Sequence, residues 1–323
     1  MDAELLFVAD GHAGLGKPLS ERCLAGELVR LRRGVYVDAV AWGRLPPWER
    51  ERLRILAAVE SAVGTRVLVQ ETAAVIWGIP VVGALPEILL LASTRSHGRR
   101  RGDLRWTRRK LLDPLVVYAG VELTSRAQTV IDMAAYLPFE RALPAMDHAL
   151  RPDMLKGFSP LSKDDLRLVA GRLPDSAKRS RALRVLEFAD ARSESPGESF
   201  SRAILHRYGF PAPELQQEFR SPGGKLLGRT DFFWREHRLV GEFDGAVKYG
   251  RNVGDPRTQT MQPSWETLVR ETLVREKRRE DAIRATGVGF VRWSWTDLQG
   301  SPQNPDGLVQ RLVRAGLPRK RRR

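Results

Sequence analysis

The stretch that decides the fold of the C-terminal part of the chain is Lys225-Leu-Leu-Gly-Arg-Thr-Asp-Phe-Phe-Trp-Arg-Glu-His-Arg-Leu-Val-Gly-Glu-Phe-Asp-Gly-Ala-Val-Lys-Tyr249. Two apolar and aromatic runs, residues 226–234 and 239–249, flank a polar tetrad at 235–238. Such a pattern indicates a β-hairpin. If the turn is Glu236-His237, Asp231 stands opposite Glu242. A shift of one residue in the turn would undo this pairing.

The alternation of side chains along the two strands separates acids from aromatics. It places Asp231, Glu242, Asp244 and Lys248 on one face, and Phe232, Trp234, Leu239 and Phe243 on the other. Opposed carboxylates repel, so the acid face requires a counter-charge. Mg²⁺ or Mn²⁺ is the natural one, with Asp231, Glu242 and Asp244 as its ligands. The alternative is an edge hairpin whose acids face water and pair with neighbouring arginines.

A wider set of residues resembles a known family. Glu198 on a helix, Asp231, the element Gly-Glu-Phe-Asp-Gly at 241–245, a basic helix and a Trp-rich strand follow one another in the chain. This order is similar to the very-short-patch-repair-like branch of the PD-(D/E)XK nuclease superfamily, over residues 195–316. The resemblance implies a mixed sheet flanked by helices and metal-dependent cleavage of phosphodiester bonds in DNA. It also implies that Asp231 and Glu242 bind the metal and that Glu198 is an accessory acid.

The chain departs from that superfamily at one position. A lysine usually stands two residues after the second acid, where this chain has Asp244. Lys248 on the hairpin and Lys277 on the following helix are the candidate replacements, and Arg278 and Arg284 of that helix are candidate DNA contacts. Two main interpretations therefore remain: a Mg²⁺-dependent endodeoxyribonuclease, or a transcriptional regulator whose nuclease fold is catalytically silent. A third is a nuclease with the same metal site that cleaves RNA.

The N-terminal region predicts a second DNA-binding element. Ser20 can cap a helix that runs through Leu28, and residues 28–37 then read as a tight hairpin around Arg33-Gly34. A helix followed by a basic hairpin is typical of a winged helix, in which Arg30, Arg32 and Arg33 would contact phosphates. The alternative is a small basic hairpin without a DNA role.

Residues 26–36 also resemble the N-terminal winged helix of the AbiEi-type antitoxins of abortive-infection systems. The segment 124–132 resembles the middle region of the same proteins, which widens the similarity to residues 1–150. The resemblance implies promoter binding and autorepression, and hence an antitoxin-like regulator as the alternative to a nuclease.

Composition supports a polyanionic partner. The 323-residue chain carries a net charge of +15, and its pI is about 10.6, which favours nucleic acid. The single cysteine, Cys23, excludes internal disulfides and cysteine-cluster zinc sites and fits a reducing cytoplasm. Apolar runs such as residues 86–92 are too short to cross a bilayer. We therefore expect a cytoplasmic protein with DNA as its partner, without membrane association and without an indicated small-molecule ligand.

The expected fold class is α/β and α+β multidomain. The predicted plan has five parts: a winged-helix domain at 1–80, an α+β middle region at 81–150, a helical linker region at 151–194, a restriction-endonuclease-like domain at 195–316 and a disordered basic tail at 317–323. Within the first part, residues 47–64 predict an amphipathic helix with Trp48 on its apolar face.

Overall fold

The computed structural model describes residues 4–7, 18–62, 64–93, 98–245 and 265–320, and only the backbone of 265–273. The chain divides into two compact units, residues 1–189 and 190–323. Within the described residues, helices capable of crossing a lipid bilayer are absent, because none combines the necessary length with apolar composition.

The first unit begins with a small antiparallel sheet and a helix. Its elements are β1 (Leu6–Phe7), α1 (Leu19–Leu24), β2 (Leu28–Arg32) and β3 (Val35–Asp38), and the strand order is β1-β3-β2. Leu19, Leu28 and Tyr36 form its core. The predicted helix and hairpin are present, and Gly34 has the positive φ of +79° that a tight turn requires.

The predicted limits of α1 are wrong at both ends. Pro18 precedes the helix in the N-cap position, and no side chain caps it, so Ser20 is a helical residue and not the cap. The helix ends at Leu24 because Gly26 has a φ of +79°, and Leu28 is already in β2, where it pairs with Asp38.

Three helices and two small sheets follow. The elements are α2 (Ala39–Arg44), α3 (Pro47–Ser61), α4 (Gln70–Trp77), β4 (Ile88–Leu91), β5 (Arg100–Arg101), β6 (Leu104–Thr107), β7 (Val116–Tyr118) and β8 (Val121–Leu123). β4 and β6 are parallel, and β5 extends their sheet. The inward placement of Trp48 is wrong, since its side chain is 64% exposed. Trp48 lies in the first turn of α3, whereas the buried residues begin at Leu53.

Four helices complete the first unit: α5 (Arg126–Tyr136), α6 (Phe139–Ala149), α7 (Lys163–Gly171) and α8 (Ser176–Phe188). α5 contacts the other three and α4. Its predicted cap is confirmed, because Ser125 Oγ accepts a hydrogen bond from Gln128 N at 3.0 Å. Most of the predicted helical linker region, 151–194, thus packs inside this unit.

The second unit is a four-stranded mixed sheet with helices. Its elements are α9 (Pro196–Arg207), β9 (Glu214–Arg220), β10 (Leu226–Trp234), β11 (Leu239–Phe243), α10 (Trp265–Arg284), β12 (Gly289–Trp293), α11 (Trp295–Gln299) and α12 (Leu308–Arg314). The strand order is β12-β11-β10-β9, with β11 and β12 parallel and the other neighbours antiparallel.

The register of the decisive hairpin agrees with the prediction. The pairs are Phe232 with Gly241, Phe233 with Val240 and Trp234 with Leu239, as the pairing that opposes Asp231 and Glu242 requires. The connection differs: a 3₁₀ turn at Arg235–His237 is followed by Arg238 with a φ of +45°. Four residues therefore join the strands instead of two, and the register is preserved because the loop is symmetric about the same centre.

The two faces of the sheet pack against different helices. On one face, Phe219, Phe233, Val240 and Phe290 enclose Ile283 of α10. On the other, Phe232 stacks on Trp293 with 5.2 Å between ring centroids, and Trp293 Nε1 donates a 2.8 Å hydrogen bond to Ser201 Oγ of α9. The sheet is thus covered on both faces, in keeping with the α/β class.

The C-terminal segment is ordered as far as it is described. Lys320 N donates to Gly209 O at 2.9 Å, and Arg319 Nε donates to Tyr208 O at 3.0 Å. The prediction of a disordered tail is therefore wrong for residues 317–320. Residues 321–323 lie outside the described part of the chain.

Candidate functional site

Asp231 lies where the β10–β11 hairpin opens. Backbone pairing between these strands ends at Phe232 and Gly241. One residue further, the side chain of Asp231 replaces the backbone partner, since its Oδ2 accepts a 2.8 Å hydrogen bond from Phe243 N. Asp231 is thus a residue of β10 whose side chain makes the contact with β11 beyond the last paired residues.

Glu242 is buried and fully paired with arginine. It is 8% exposed, and Arg279 of α10 donates to both of its oxygens, from Nη1 at 2.8 Å and from Nη2 at 2.9 Å. Arg292 Nη2 of β12 lies 3.0 Å from Glu242 Oε2. This is the bidentate geometry in which a guanidinium binds a carboxylate most strongly. These contacts agree with one part of the second interpretation of the acid face, the pairing with neighbouring arginines. They differ from its other part, because Glu242 is buried and does not face water.

Two further glutamates extend this network. Glu276 lies 2.9 Å from Arg279 Nη2, and Glu280 lies 3.3 Å from Arg292 Nε. Arg292 Nε and Nη2 are buried and make no well-aligned hydrogen bond despite these short distances. Arg292 is therefore held by charge more than by hydrogen-bond geometry.

Glu198 lies in the first turn of α9. Ser195 Oγ accepts a 3.2 Å hydrogen bond from Glu198 N, and Glu198 Oε2 accepts from Glu194 N at 2.8 Å and from Gln216 Nε2 at 2.9 Å. Gln216 has a φ of +57°, which is strained for a residue other than glycine. The side chain of Glu198 is thus fixed by its own helix start and by β9.

The pKa of Asp231 is raised by its surroundings. Burial raises the pKa of Asp231 to about 7, and the charges of Glu198 and then Glu242 add to this effect. The hydrogen bond from Phe243 N and the charge of Arg279 oppose it. A carboxyl group that is poised near neutrality in this way is a functional-site candidate.

The structure does not bring Lys277 to this cluster, and it leaves Asp244 exposed. Asp244 is exposed just beyond β11, with its N–H bonded to Trp293 O at 2.7 Å. Lys277 is exposed, and since two residues rotate a helix by about 200°, it points away from the side of α10 that carries Arg279. Lys248 lies outside the described residues.

The predicted DNA contacts of α10 differ in availability. Arg278 is exposed. Arg284 Nε donates to Glu280 Oε1 at 2.8 Å, and its guanidinium lies 5.2 Å from the centre of the Phe290 ring. Arg278 is therefore open to solvent, while Arg284 is engaged within the unit.

Sequence reasoning missed Arg279 and Arg292. A signal for Arg279 exists, because it lies four residues before the buried Ile283 and hence on the same helical face. Arg292 carries a weaker signal: it is opposite Glu242 in the parallel register of β11 and β12, which the sequence does not specify.

The N-terminal arginines of the first unit also differ from one another. Arg30 and Arg33 are exposed on β2 and at the hairpin turn. Arg32 forms an ion pair with Asp103, and Arg54 Nη2 lies 3.6 Å from the same carboxylate. Two of the three predicted phosphate contacts are thus open to a ligand, and the third is committed to an internal partner.

The chemistry of the acid cluster fits a divalent cation in one respect. Asp231 and Glu242 belong to adjacent strands, and carboxylates are the ligands that Mg²⁺ and Mn²⁺ prefer. The raised pKa of Asp231 means that positive charge beside it is stabilising. Arg279 now supplies that charge to Glu242. Across the part of the chain that the structure describes, no group of three or more His, Cys, Asp or Glu side chains has a metal-binding arrangement.

Comparisons with known proteins add two relatives and one solved structure. No model of a known protein family matches the chain. The chain is 31% identical over 128 residues to the uncharacterized proteins MT2308 and Rv2248, from two strains of Mycobacterium tuberculosis. That match covers 38% of this chain and spans only 42% of the length of each relative.

The crystal structure of the RV2827C protein from Mycobacterium tuberculosis has a TM-score of 0.35 and 14% identity to this chain. The match covers 68% of this chain and 84% of that one.

Proposed function

We propose that the chain is a DNA-binding protein whose second unit is a Mg²⁺- or Mn²⁺-dependent endodeoxyribonuclease of the PD-(D/E)XK type. The observation that carries the proposal is the position of Asp231 and Glu242 on adjacent strands at the open end of the β10–β11 hairpin. Burial raises the pKa of Asp231 to about 7, and the charges of Glu198 and Glu242 add to this effect. The resemblance of residues 195–316 to the very-short-patch-repair-like nucleases supports the same function.

Each residue of the cluster has a distinct role in this proposal. Asp231 and Glu242 hold the cation, with Glu198 as the accessory acid. When bound, such an ion polarises the scissile phosphate and lowers the pKa of the attacking water. Asp231 has to be ionised to bind a cation, and this requires a pH near or above its pKa of about 7.

Arg279 takes the place of the lysine that the sequence lacks. Lys277 points to another side of α10, whereas the Arg279 guanidinium lies 2.8 Å from Glu242. A fixed cation beside the acids offsets the negative charge that grows on phosphate during hydrolysis. In the described arrangement the same guanidinium occupies both oxygens of Glu242, so it has to shift toward the phosphate when a cation binds.

Cleavage of supercoiled plasmid tests this function. Wild type with about 5 mM Mg²⁺ or Mn²⁺, an excess suited to weakly held ions, is expected to nick and linearise the plasmid, and EDTA abolishes the reaction. Asp231→Asn and Glu242→Gln are expected to remove activity. Asp306→Asn is the control, because Asp306 is exposed and has no place in the cluster. Metal-independent cleavage, or full activity in both site variants, would overturn the proposal.

A second function is favoured by the pairing of Glu242 with two arginines, because these side chains neutralise the acid without a metal ion. In this case the nuclease fold is a scaffold, and the chain is an antitoxin-like transcriptional regulator that binds DNA through α1, β2 and β3. The resemblance of residues 1–150 to AbiEi-type antitoxins supports it. Sequence-specific binding to promoter DNA in EDTA, by a folded protein that never cuts plasmid, is the result that separates this function from the first.

A further inference from the structure

A basic groove lies in the second unit, where α9, α12 and the C-terminal segment meet. Its volume is about 660 Å³, and its walls include Arg207, Tyr208, Val313, Arg319 and Lys320. Three of its lining side chains are cations, and none of the lining residues is acidic. Neither the acid cluster nor the two resemblances accounts for this groove.

The groove is built by the chain and is not a loose tail on the surface. Leu317 is 2% exposed and anchors the segment. Beyond it, the backbone of Lys320 bonds to Gly209 O at 2.9 Å. Gly209 has a φ of +75°, and a Cβ at this position would lie 2.4 Å from Lys320 O. The close approach of the two backbones therefore depends on glycine at 209.

The side chains on this segment are arranged for anions. The guanidinium of Arg319 lies 5.6 Å from the centre of the Tyr208 ring and 5.7 Å from that of Phe210. Arg207 lies 5.8 Å from the Tyr208 ring. The aromatic rings hold Arg319 by cation–π interactions, which keep its charge in place without neutralising it. Lys320 is exposed beside them, held only through its backbone.

The occupant is best described as a polyanion with repeated phosphates. The cavity is larger than a single phosphate needs, and the sequence continues past Lys320 with three more arginines, Arg321 to Arg323. The Tyr208 ring is already in contact with two guanidiniums, so phosphate contacts are favoured over base stacking. Repeated positive charge of this kind matches a nucleic-acid backbone.

We propose that this groove binds the phosphate backbone of duplex DNA and so positions it on the second unit. The proposal deepens the function above and rests on it for the choice of DNA. α9 carries Glu198 in its first turn and Arg207 at its end, which places Arg207 of the groove about 14 Å along the helix from Glu198. That separation corresponds to about four base-pair steps of 3.4 Å.

The test measures DNA binding without catalysis. Fluorescence anisotropy with a labelled duplex of about 20 base pairs, in EDTA and over about 50 to 200 mM salt, gives affinity and salt dependence. Lys320→Gln leaves the backbone anchor intact and is expected to reduce the slope of log K against log[salt] by about 1. Arg319→Gln with Lys320→Gln is expected to reduce it by about 2. Lys225→Gln is the matched control, because Lys225 is equally exposed but lies in the β9–β10 turn.

A second pair of variants tests the groove without changing charge. Gly209→Ala is expected to displace Lys320 and lower DNA affinity. Gly224→Ala is its control, since Gly224 also has a positive φ, +83°, but a Cβ there meets nothing within 4 Å. Both variants are first checked by urea unfolding, so that a loss of DNA binding is compared only between folded proteins.

The outcomes separate this proposal from the nuclease. If the groove variants lose DNA binding while wild type never cuts plasmid, the groove stands and the nuclease fails. If the groove variants bind and cut like wild type, or if Lys225→Gln weakens binding as much as Lys320→Gln, the groove fails alone. Failure of wild type to bind duplex DNA overturns both. Loss of binding to anionic lipid vesicles, with unchanged DNA binding, would assign the groove to a membrane surface and overturn the proposal.

Discussion

Arg279 binds Glu242 through both guanidinium Nη atoms, at 2.8 and 2.9 Å from the two carboxylate oxygens. The pair joins α10 to β11 across 37 residues of sequence. The side chains of Glu242 and Arg279 are 11% and 21% exposed, so water screens the interaction only in part. The buried acid is therefore compatible with a stable fold because α10 packs over it.

Removal of this guanidinium is expected to destabilise the second unit. Arg279→Ala leaves Glu242 buried with Arg292 as its remaining cation, and we expect a loss of about 2 to 3 kcal/mol in the free energy of unfolding. Urea denaturation measures it. Arg278→Ala is the control, and a change within about 0.5 kcal/mol is expected for that exposed neighbour. Equal effects of the two variants would contradict the importance of the pair.

The raised pKa of Asp231 predicts a specific pH dependence of stability. The folded state holds the proton up to a pH of about 7, while the unfolded chain releases it near pH 4. Between these values the folded state binds more protons, so the contribution of Asp231 to the free energy of unfolding falls as the pH rises. Asp231→Asn is expected to flatten the dependence measured by urea unfolding at pH 5 and pH 8.

The control for this experiment is Asp306→Asn, which replaces an exposed carboxylate and should leave the slope unchanged. If the Asp231→Asn and wild-type curves run parallel from pH 5 to pH 8, the acid does not titrate near neutrality. Cleavage, where present, is expected to increase through the same interval, since only the ionised carboxylate binds a cation.

Gly197 is predicted to be intolerant of even a methyl group. A Cβ there would lie 2.0 Å from Phe243 Cε1 and 2.3 Å from Cζ, so the ring has to move. Alanine is otherwise favourable in a helix, yet we expect Gly197→Ala to cost about 1 to 3 kcal/mol from overpacking. Urea denaturation tests this, with Gly223→Ala as control because its nearest neighbour, Ser221 Oγ, is 3.9 Å away. A more stable Gly197→Ala protein would contradict the packing.

Substitutions of different arginines in the N-terminal hairpin are expected to change either DNA binding or stability. Arg30→Gln with Arg33→Gln removes two exposed charges, and we expect the salt slope of DNA binding to fall by about 2 at unchanged stability. Arg32→Gln instead removes one of the two arginine partners of Asp103 and is expected to lower stability by about 1 kcal/mol. Anisotropy and urea unfolding on all variants provide the comparison. If the double variant binds like wild type, the hairpin has no role in DNA contact.

Local pattern was sufficient to predict the centre of the second unit. The alternation of aromatic and polar residues in 226–243 predicts which side chains share a face, and a turn centred on Glu236-His237 predicts the register. The pairs from Phe232 to Trp234 follow that register. The turn geometry did not follow from it, because a 3₁₀ turn with Arg238 at positive φ and a two-residue turn give the same pairing.

The sequence by itself thus determined the mixed composition of helices and strands, the hairpin with its acids and the excess of positive charge. Only the tertiary structure decided what those acids contact. Arg279 reaches Glu242 because α10 packs on the sheet through Ile283, and Lys320 reaches Gly209 because Leu317 is buried. Both contacts depend on the burial of apolar residues far apart in the chain, and the strength of a charge pair depends on how much water that burial removes.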